Sequence, residues 1–495
     1  MSARHVFGLT VLLVTVAGCT ENVTSISPTT VVAGGPAFKL TVVGTGLSSG
    51  DTVQWNGSNR TTTYVSTTEL TAQINEADIA ATGTASVTVT NPDSAVFGSS
   101  ITSSTSTTTG TSSGSSNTET ITIVAPSEDA TNYQIDPAHD GAVTFSSGSV
   151  SFPTSATWHV NLGAGTPSNI LISDGDVYLT TGTSGGSQLM AFSQSTGATA
   201  WGPVAISGTA GGSAGVAYDN YQVFVTQQDA NGAGSTLYAY NSGTGALLWS
   251  TELGAASPGA PTATDGFVYV IVGGSATLYA LNESTGALAW QQALTSAGGT
   301  PAVTADGVYV AATTSGCYTI DFNPATGEVV WNTSNGTLYC PQGATPSVAN
   351  ELVYSPNTSA LSIFDSETGD NSTGTLAYSL PAAFTASTGY FLQSPHLQAV
   401  TLTNDATSDT VQWTFNGDNE LNTPPVLVDS QYVIVGSSAG NLYAVDTTSG
   451  SSTWTQSLGN NIVQIAAGDG LLMAVTETGN DTSGTLTAYT ISSSQ

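Results

Sequence analysis

Five segments of this chain are variants of one another: TLYAYNSGTGALLW ending at Trp249, TLYALNESTGALAW ending at Trp290, CYTIDFNPATGEVVW ending at Trp331, NLYAVDTTSGSSTW ending at Trp454 and QLMAFSQSTGATAW ending at Trp201. Trp249, Trp290 and Trp331 fall 41 residues apart. Self-similarity at such a period marks an architecture that stacks one supersecondary unit on the next. Each segment reads as a strand, a tight turn in which Gly supplies a positive φ, and a second strand bearing the tryptophan. A hairpin precedes each, as in TPSNILISDGDVYLTT, APTATDGFVYVIV and TPAVTADGVYVAA. The Asp-Gly pairs Asp174-Gly175, Asp265-Gly266, Asp306-Gly307 and Asp469-Gly470 suit two-residue type I′ turns. Four strands per repeat make one blade of a β-propeller.

Counting the strand after each such turn gives Trp158, Trp201, Trp249, Trp290, Trp331, a degenerate Tyr378, Trp413 and Trp454. That count predicts eight blades. Residues 335–410 are the least regular, so seven blades with a distorted insert is the alternative. The closing LTAYTISS (Leu486 to Ser493) is a third strand with no successor, while Trp158 opens a fourth strand with no predecessor. Pairing these two ends closes the ring and removes its exposed edges. Because the tryptophans recur at equivalent strand positions, they read as packing between blades and not as a platform for a sugar or cofactor.

Upstream, from Val23 to about Ser99, short runs alternate apolar and polar residues: FKLTVVGTG, DTVQWNG, TELTAQI and ASVTVTNPD. This is the pattern of an antiparallel sandwich, with Trp55 expected in its core. Residues 100–118, SITSSTSTTTGTSSGSSNT, cannot bury apolar surface and read as a flexible linker. The expected organisation is therefore a leader over 1–18, an Ig-like domain over 19–99, a linker over 100–118 and a propeller over 119–495.

Charge excludes several functions. The chain has 34 acidic residues against three basic ones, Arg4, Lys39 and Arg60, for a formal net charge of −31, and no Lys or Arg follows Arg60. A grip on nucleic acid or on anionic headgroups needs clustered Lys or Arg. Residues 1–19, MSARHVFGLTVLLVTVAGC, place Arg4 and His5 before an apolar run and then small residues, as in a signal peptide. The end, Val16-Ala17-Gly18-Cys19, resembles the bacterial lipobox, which implies cleavage before Cys19 and lipid on that cysteine. Thr20 lacks the aspartate associated with inner-membrane retention, so the expected location is the outer membrane. Only Cys317 and Cys340 remain, an even number in an exported chain, and a disulfide between them is expected, with free buried thiols as the alternative. In blade geometry both lie on the face opposite the Asp-Gly and Thr-Gly turns.

SISPTTVVAGGPAFKLTVVGTGL and TASVTVTNPD resemble the Ig-like IPT/TIG family. The blades, together with NYQIDPAHDGAV just upstream, resemble the pyrroloquinoline-quinone-like (PQQ-like) propeller family over residues 131–492. That family holds quinoprotein dehydrogenases and also non-catalytic relatives such as the propeller lipoprotein of the outer-membrane assembly machinery. In the dehydrogenases, basic side chains, a calcium ion near an acidic base and a disulfide between adjacent cysteines hold the quinone. Here the propeller has no basic residue, and its cysteines lie 23 positions apart. No catalytic residue and no cofactor-binding residue emerges. His139, His159 and His396 are scattered and read as structural, and no Ser-His-Asp pattern is present. Asp365, Glu367 and Asp370 are calcium candidates without EF-hand spacing, and solvated turn residues are the alternative. The expectation is a non-catalytic binding or scaffolding lipoprotein of the cell envelope, with a protein or glycan partner and membrane contact only through lipid. A structural or adhesive surface protein is the alternative, and a quinoprotein dehydrogenase the third reading.

Overall fold

In a computed structural model, the structure describes residues 22–494 apart from 28–29, 33–37, 80–82, 92–115, 125–128, 146–148, 210–212, 214, 255–256, 274–275, 342, 372–374, 386, 403–409 and 479–482. The leader, Cys19 and most of the expected linker lie outside the described residues. The chain divides into two compact units, Met1–Pro126 and Ser127–Gln495.

The first unit is a sandwich of two sheets. One has the strand order Asn22–Ser27, Phe38–Thr45, Glu69–Ile74, Thr62–Ser66. The other runs Thr30–Val32, Glu119–Val124, Gly83–Thr90, Thr52–Trp55, Ser58–Asn59. Alternate residues of these strands, Leu40, Val42, Leu70, Ala72, Val87 and Val89 among them, face inward around Trp55. Glu119–Val124 corrects the expected boundary at 119. This strand pairs antiparallel with Gly83–Thr90 and parallel with Thr30–Val32, burying Ile121 and Ile123 in the sandwich. Its ETITIV alternation completes this core, so the second unit starts beyond it.

Among the described residues, the second unit holds eight four-stranded antiparallel meanders, two of them carrying an extra short strand. In chain order their innermost strands are Leu171–Ser173, Gly215–Asp219, Thr262–Thr264, Ala302–Val303, Ser347–Ala349, Ala382–Phe384, Val426–Val428 and Asn461–Gly468. The irregular stretch 335–410 contains the fifth of these sheets and the first three strands of the sixth. Innermost strands of the first five sheets touch in sequence, as do those of the sixth to eighth, and the eighth touches the first. The fifth and sixth share one hydrophobic cluster through Ile363, Phe384 and Phe391. The ring is a β-propeller, and its core lies between sheets. The cluster of Val216, Tyr218 and Val223 with Leu171 and Leu189 joins the first two, and Ala217, Phe224 and Leu237 with Val268 and Val270 join the next.

Closure uses both ends of the unit. Trp158–Gly163 pairs with Gly484–Thr490, so the eighth sheet takes its outermost strand from the beginning of the unit and the other three from its end. Ser149–Ser151 further pairs with Ser492–Ser494.

The hairpin turns follow the sequence with one correction. Asp174-Gly175, Asp265-Gly266 and Asp469-Gly470 have positive φ at both residues, as type I′ requires. Asp306-Gly307 does not. There the Thr304 hydroxyl accepts hydrogen bonds from the backbone N–H groups of Asp306 and Gly307, beside the backbone bond from Thr304 N to Gly307 O at 2.9 Å. Conversely Asn220-Tyr221, Asn350-Glu351 and Asp429-Ser430 adopt positive φ at both positions without any glycine.

Candidate functional site

The tryptophans act between sheets. The indole N–H of Trp158, Trp201, Trp249, Trp290, Trp331 and Trp413 donates to a carbonyl in the Thr-Gly-type turn of the next sheet, at Gln194, Ser242, Glu283, Pro324, Ser366 and Thr447 respectively. The glycine of that same turn, for example Gly327 at φ +70°, lies flat on the ring, so that a Cβ there would sit 2.5 Å from Trp290 Cε3. At the closure Trp454 donates instead to Pro153, with Phe152 stacked on it at 5.2 Å. Tyr378 stands outside the pattern and stacks on Phe391 at 4.7 Å.

Cys317 and Cys340 form a disulfide. It ties the start of the third strand of the fourth sheet, Cys317–Phe322, to the chain beyond its fourth strand, Val329–Ser334. Asp365 is occupied as a turn acceptor: hydrogen bonds from the Thr368 backbone and hydroxyl, and from the Glu367 backbone, hold its carboxyl below the usual range. Asp365 and Glu367 border a hollow of about 340 Å³ with Asp306, Asp321 and Glu351, whereas Asp370 does not. Among the described residues no group of three or more His, Cys, Asp or Glu side chains has metal-ligating geometry.

Two groups of buried carboxyls are perturbed. Burial, reinforced by the neighbouring Asp219 charge, pushes Glu283 up to about 8, and burial also raises Asp219. Burial pushes Asp321 up to about 7 against a lowering hydrogen bond from Val308. With no cation near, these carboxyls lower their cost by holding protons.

Sequence reasoning missed the feature at the ring axis. Residues 130–143, the NYQIDPAHDGAV stretch and its neighbours, run around the ring axis and pair with the innermost strand of one sheet after another. Ala130 bridges Ile172, Tyr218 N donates to Thr131 O at 2.7 Å, and Asn132 exchanges hydrogen bonds with Ala263. Val303 N then donates to Pro137 O at 2.7 Å, Val348 N to Ala138 O at 2.8 Å, Phe384 N to Asp140 O at 3.1 Å and Leu427 N to Gly141 O at 2.8 Å. Ala142–Val143 finishes as a parallel strand on Val426–Val428. The inner edges of the sheets, which would otherwise carry unpaired N–H groups, are thereby satisfied.

Between this segment and the fifth and sixth sheets lies a cavity of about 400 Å³. Tyr133, Gln134 and His139 come from the axial segment; Asn357 and Ser359 come from the connection between the second and third strands of the fifth sheet, and Gln393 from the second strand of the sixth. Gln134 and His139 are held at positive φ, 54° and 61°. His139 is fully buried, its Nδ1 lies 3.2 Å from the Pro346 carbonyl, and Tyr133 meets its ring edge-on at 5.6 Å. Burial pushes the imidazole down to about 4 against the raising effect of the Pro346 contact, and pushes the Tyr133 hydroxyl up to about 12. The ring is therefore neutral, with its proton on Nδ1 facing the carbonyl. His159 is exposed on the outermost strand of the eighth sheet and His396 is partly buried at a hairpin turn, so the three histidines form no cluster.

A ring of four-stranded meanders docked by tryptophans defines the protein as a repeat propeller joined to an Ig-like sandwich. The family model for outer membrane protein assembly factor BamB matches residues 233–375 and 398–494, and the IPT/TIG domain model matches residues 22–109. The chain thus carries PQQ-like, BamB-like repeats in its propeller and an IPT/TIG domain in its sandwich. Similar solved structures include BamB from Moraxella catarrhalis, at 19% identity and TM-score 0.52, covering 68% of this chain and 97% of that one. A quinohemoprotein alcohol dehydrogenase from Pseudomonas putida HK5 has 13% identity and TM-score 0.55, covering 74% and 81%. A europium-containing methanol dehydrogenase has 13% identity and TM-score 0.55, covering 73% and 98%. At these identities the likeness establishes the fold alone. No curated protein matches the chain.

The residues present do not fit a quinone of the dehydrogenase kind. A tricarboxylate buried in the ring needs cationic partners to offset desolvation, and no Lys or Arg follows Arg60. The axial cavity is lined by uncharged side chains, and the disulfide joins cysteines 23 positions apart.

Proposed function

We propose that the chain is an exported, lipid-anchored envelope protein that works by binding, with the rim of its propeller as a docking surface for another envelope protein. The observation that carries this reading is an arc of exposed aliphatic side chains. Leu247 and Leu248 on the second sheet, Leu288 on the third, and Val329 and Val330 on the fourth are 49–54% exposed, each just after a Thr-Gly turn on the outermost strand. Three consecutive sheets thus repeat one apolar surface feature, and grouped exposed apolar residues mark interaction sites. The BamB-like repeats support a non-catalytic role, as does the misfit of the site to a quinone. The lipobox-like Val16-Ala17-Gly18-Cys19 supports anchoring, and Thr20 supports the outer membrane.

Photo-crosslinking residues placed at Leu248 and Leu288, with one at Thr199 on the first sheet as the control, test the reading in intact cells. An outer-membrane assembly component should be captured from the first two sites, and V330E should abolish the capture. Equal capture from all three sites would refute docking through the arc. Cys19→Ser should remove labelling by an alkyne fatty acid; retained labelling would refute anchoring at Cys19.

A further inference from the structure

We propose that the axial cavity is a binding site for an uncharged, hydroxyl-bearing small molecule of the class of a sugar unit. This goes beyond the rim-docking reading and does not rest on it.

Three buried nitrogens on residues around this one cavity have no hydrogen-bond partner among the described residues: Gln134 Nε2, His139 Nε2 and Gln393 Nε2. Native interiors leave few polar groups unpaired, because each such group costs the loss of its hydration. Three such groups on residues that line one space of about 400 Å³, within the size range of small-molecule pockets, point to a ligand that completes them as the side chains turn toward it. Gln134 and His139 are also held in the left-handed region, which non-glycine residues occupy only where their surroundings hold them there.

The chemistry of the wall selects the ligand. Among the described residues none that lines the cavity is formally charged, so a buried ion of either sign would lack a partner. The two amides present N–H donors. His139, with Nδ1 facing the Pro346 carbonyl, presents a bare Nε2 that accepts. The occupant must therefore accept at two points and donate at a third while remaining neutral. A hydroxyl does both, and adjacent hydroxyls on one ring supply the set. The rings of Tyr133 and Tyr378 and the side chains of Leu361 and Leu380 supply apolar wall for the carbon face of such a ring. A neutral peptide also donates and accepts, but the hydroxyls of Thr358 and Ser359 on the rim favour a ligand with many short hydroxyl contacts.

The test uses the full chain, titrated calorimetrically and by ligand-observed NMR with D-glucose, D-galactose, N-acetylglucosamine and maltose, and with Ala-Ala amide as the peptide probe. At least one sugar should bind saturably with Kd of about 1 mM or tighter. Q393A and Q134A should each weaken it about tenfold. Because His139 is packed at the axis, H139Q is judged only if its circular dichroism and melting match the parent; the two glutamine variants carry the test if it fails to fold. Absence of saturable binding by all four sugars up to about 50 mM overturns the proposal. So does sugar binding unaffected by either glutamine variant, or saturable binding of the peptide amide alone.

Discussion

The contact between a turn glycine and the preceding tryptophan makes a quantitative prediction. Gly327 has φ +70°, and a Cβ there would lie 2.5 Å from Trp290 Cε3. Gly327→Ala therefore carries two costs. Holding alanine in the left-handed region costs about 1 kcal/mol. Clearing the methyl forces the Trp290 ring out from between Tyr269 at 5.9 Å and Phe322 at 6.4 Å, and away from its 2.8 Å hydrogen bond to the Pro324 carbonyl. Overpacking of this kind costs about 1–3 kcal/mol, and the lost hydrogen bond about 1 more. The expected total is about 3–5 kcal/mol. Gly336 provides the internal control, since it lies in the same repeat at φ +76° with nothing within 4 Å of a would-be Cβ. Gly336→Ala should therefore show the backbone cost alone, about 1 kcal/mol. Urea unfolding followed by tryptophan fluorescence reports chiefly on the propeller, because seven of the eight tryptophans lie there and only Trp55 in the sandwich. Gly327→Ala and Gly336→Ala midpoints that coincide would refute the docking role of the ring.

Three further outcomes follow from the structure. Replacing Cys317 and Cys340 with serine opens a loop of sequence separation 23 and should cost about 3 kcal/mol, read as a lower melting temperature that reductant no longer changes; an unchanged melting temperature would refute it. Glu283, pushed up to about 8 from 4.5, stays protonated in the folded chain while an unfolded glutamate ionises. Stability should therefore fall as pH rises from about 4.5 to 8, by at most roughly 5 kcal/mol and by less where Asp219 shares the proton. Glu283→Gln should flatten urea midpoints measured between pH 5 and pH 8, and a parent that gains stability over that range would refute the assignment. Glu351 occupies the second position of a type I′ turn at φ +62° without being glycine, so Glu351→Gly should raise stability by about 0.5–1 kcal/mol; loss of stability would count against strain there.

The legible part of the fold is the part that repeats. Thr-Gly turns, Asp-Gly hairpins and tryptophans recur because most blades meet the next through the same contact, so one contact is written six times between Trp158 and Trp413. Glu119–Val124 was misassigned because it follows a low-complexity stretch, and ETITIV alternates equally well for either domain. The turns at Asn220-Tyr221 and Asn350-Glu351 escaped notice because asparagine tolerates positive φ and the second residue is held there by the flanking ladder, with no glycine to mark it. The axial segment was visible only as a resemblance. Its bonds to the sheets are made chiefly by backbone groups, which leave no signature in side-chain type, and His139, read as structural, is placed at the cavity by that path.

A ring of like units satisfies itself everywhere except at its seam and its axis. At the seam, the strand Trp158–Gly163 and the chain just before it supply Trp158 to one neighbour and the Pro153 carbonyl to the other. At the axis, Ala130–Val143 visits the innermost strands. Both places are built from residues the repeat does not dictate, so they can vary without disturbing blade contacts. The charge balance then constrains what the axis can become. With no cation after Arg60, the propeller cannot bury an anion in an ion pair, and its own buried carboxyls, Glu283 and Asp321, are pushed toward protonation instead. The surrounding negative field disfavours anionic visitors as well. A neutral lining of amides and an uncharged imidazole is what remains compatible with both constraints, and recognition at the axis must proceed through hydrogen bonds and shape.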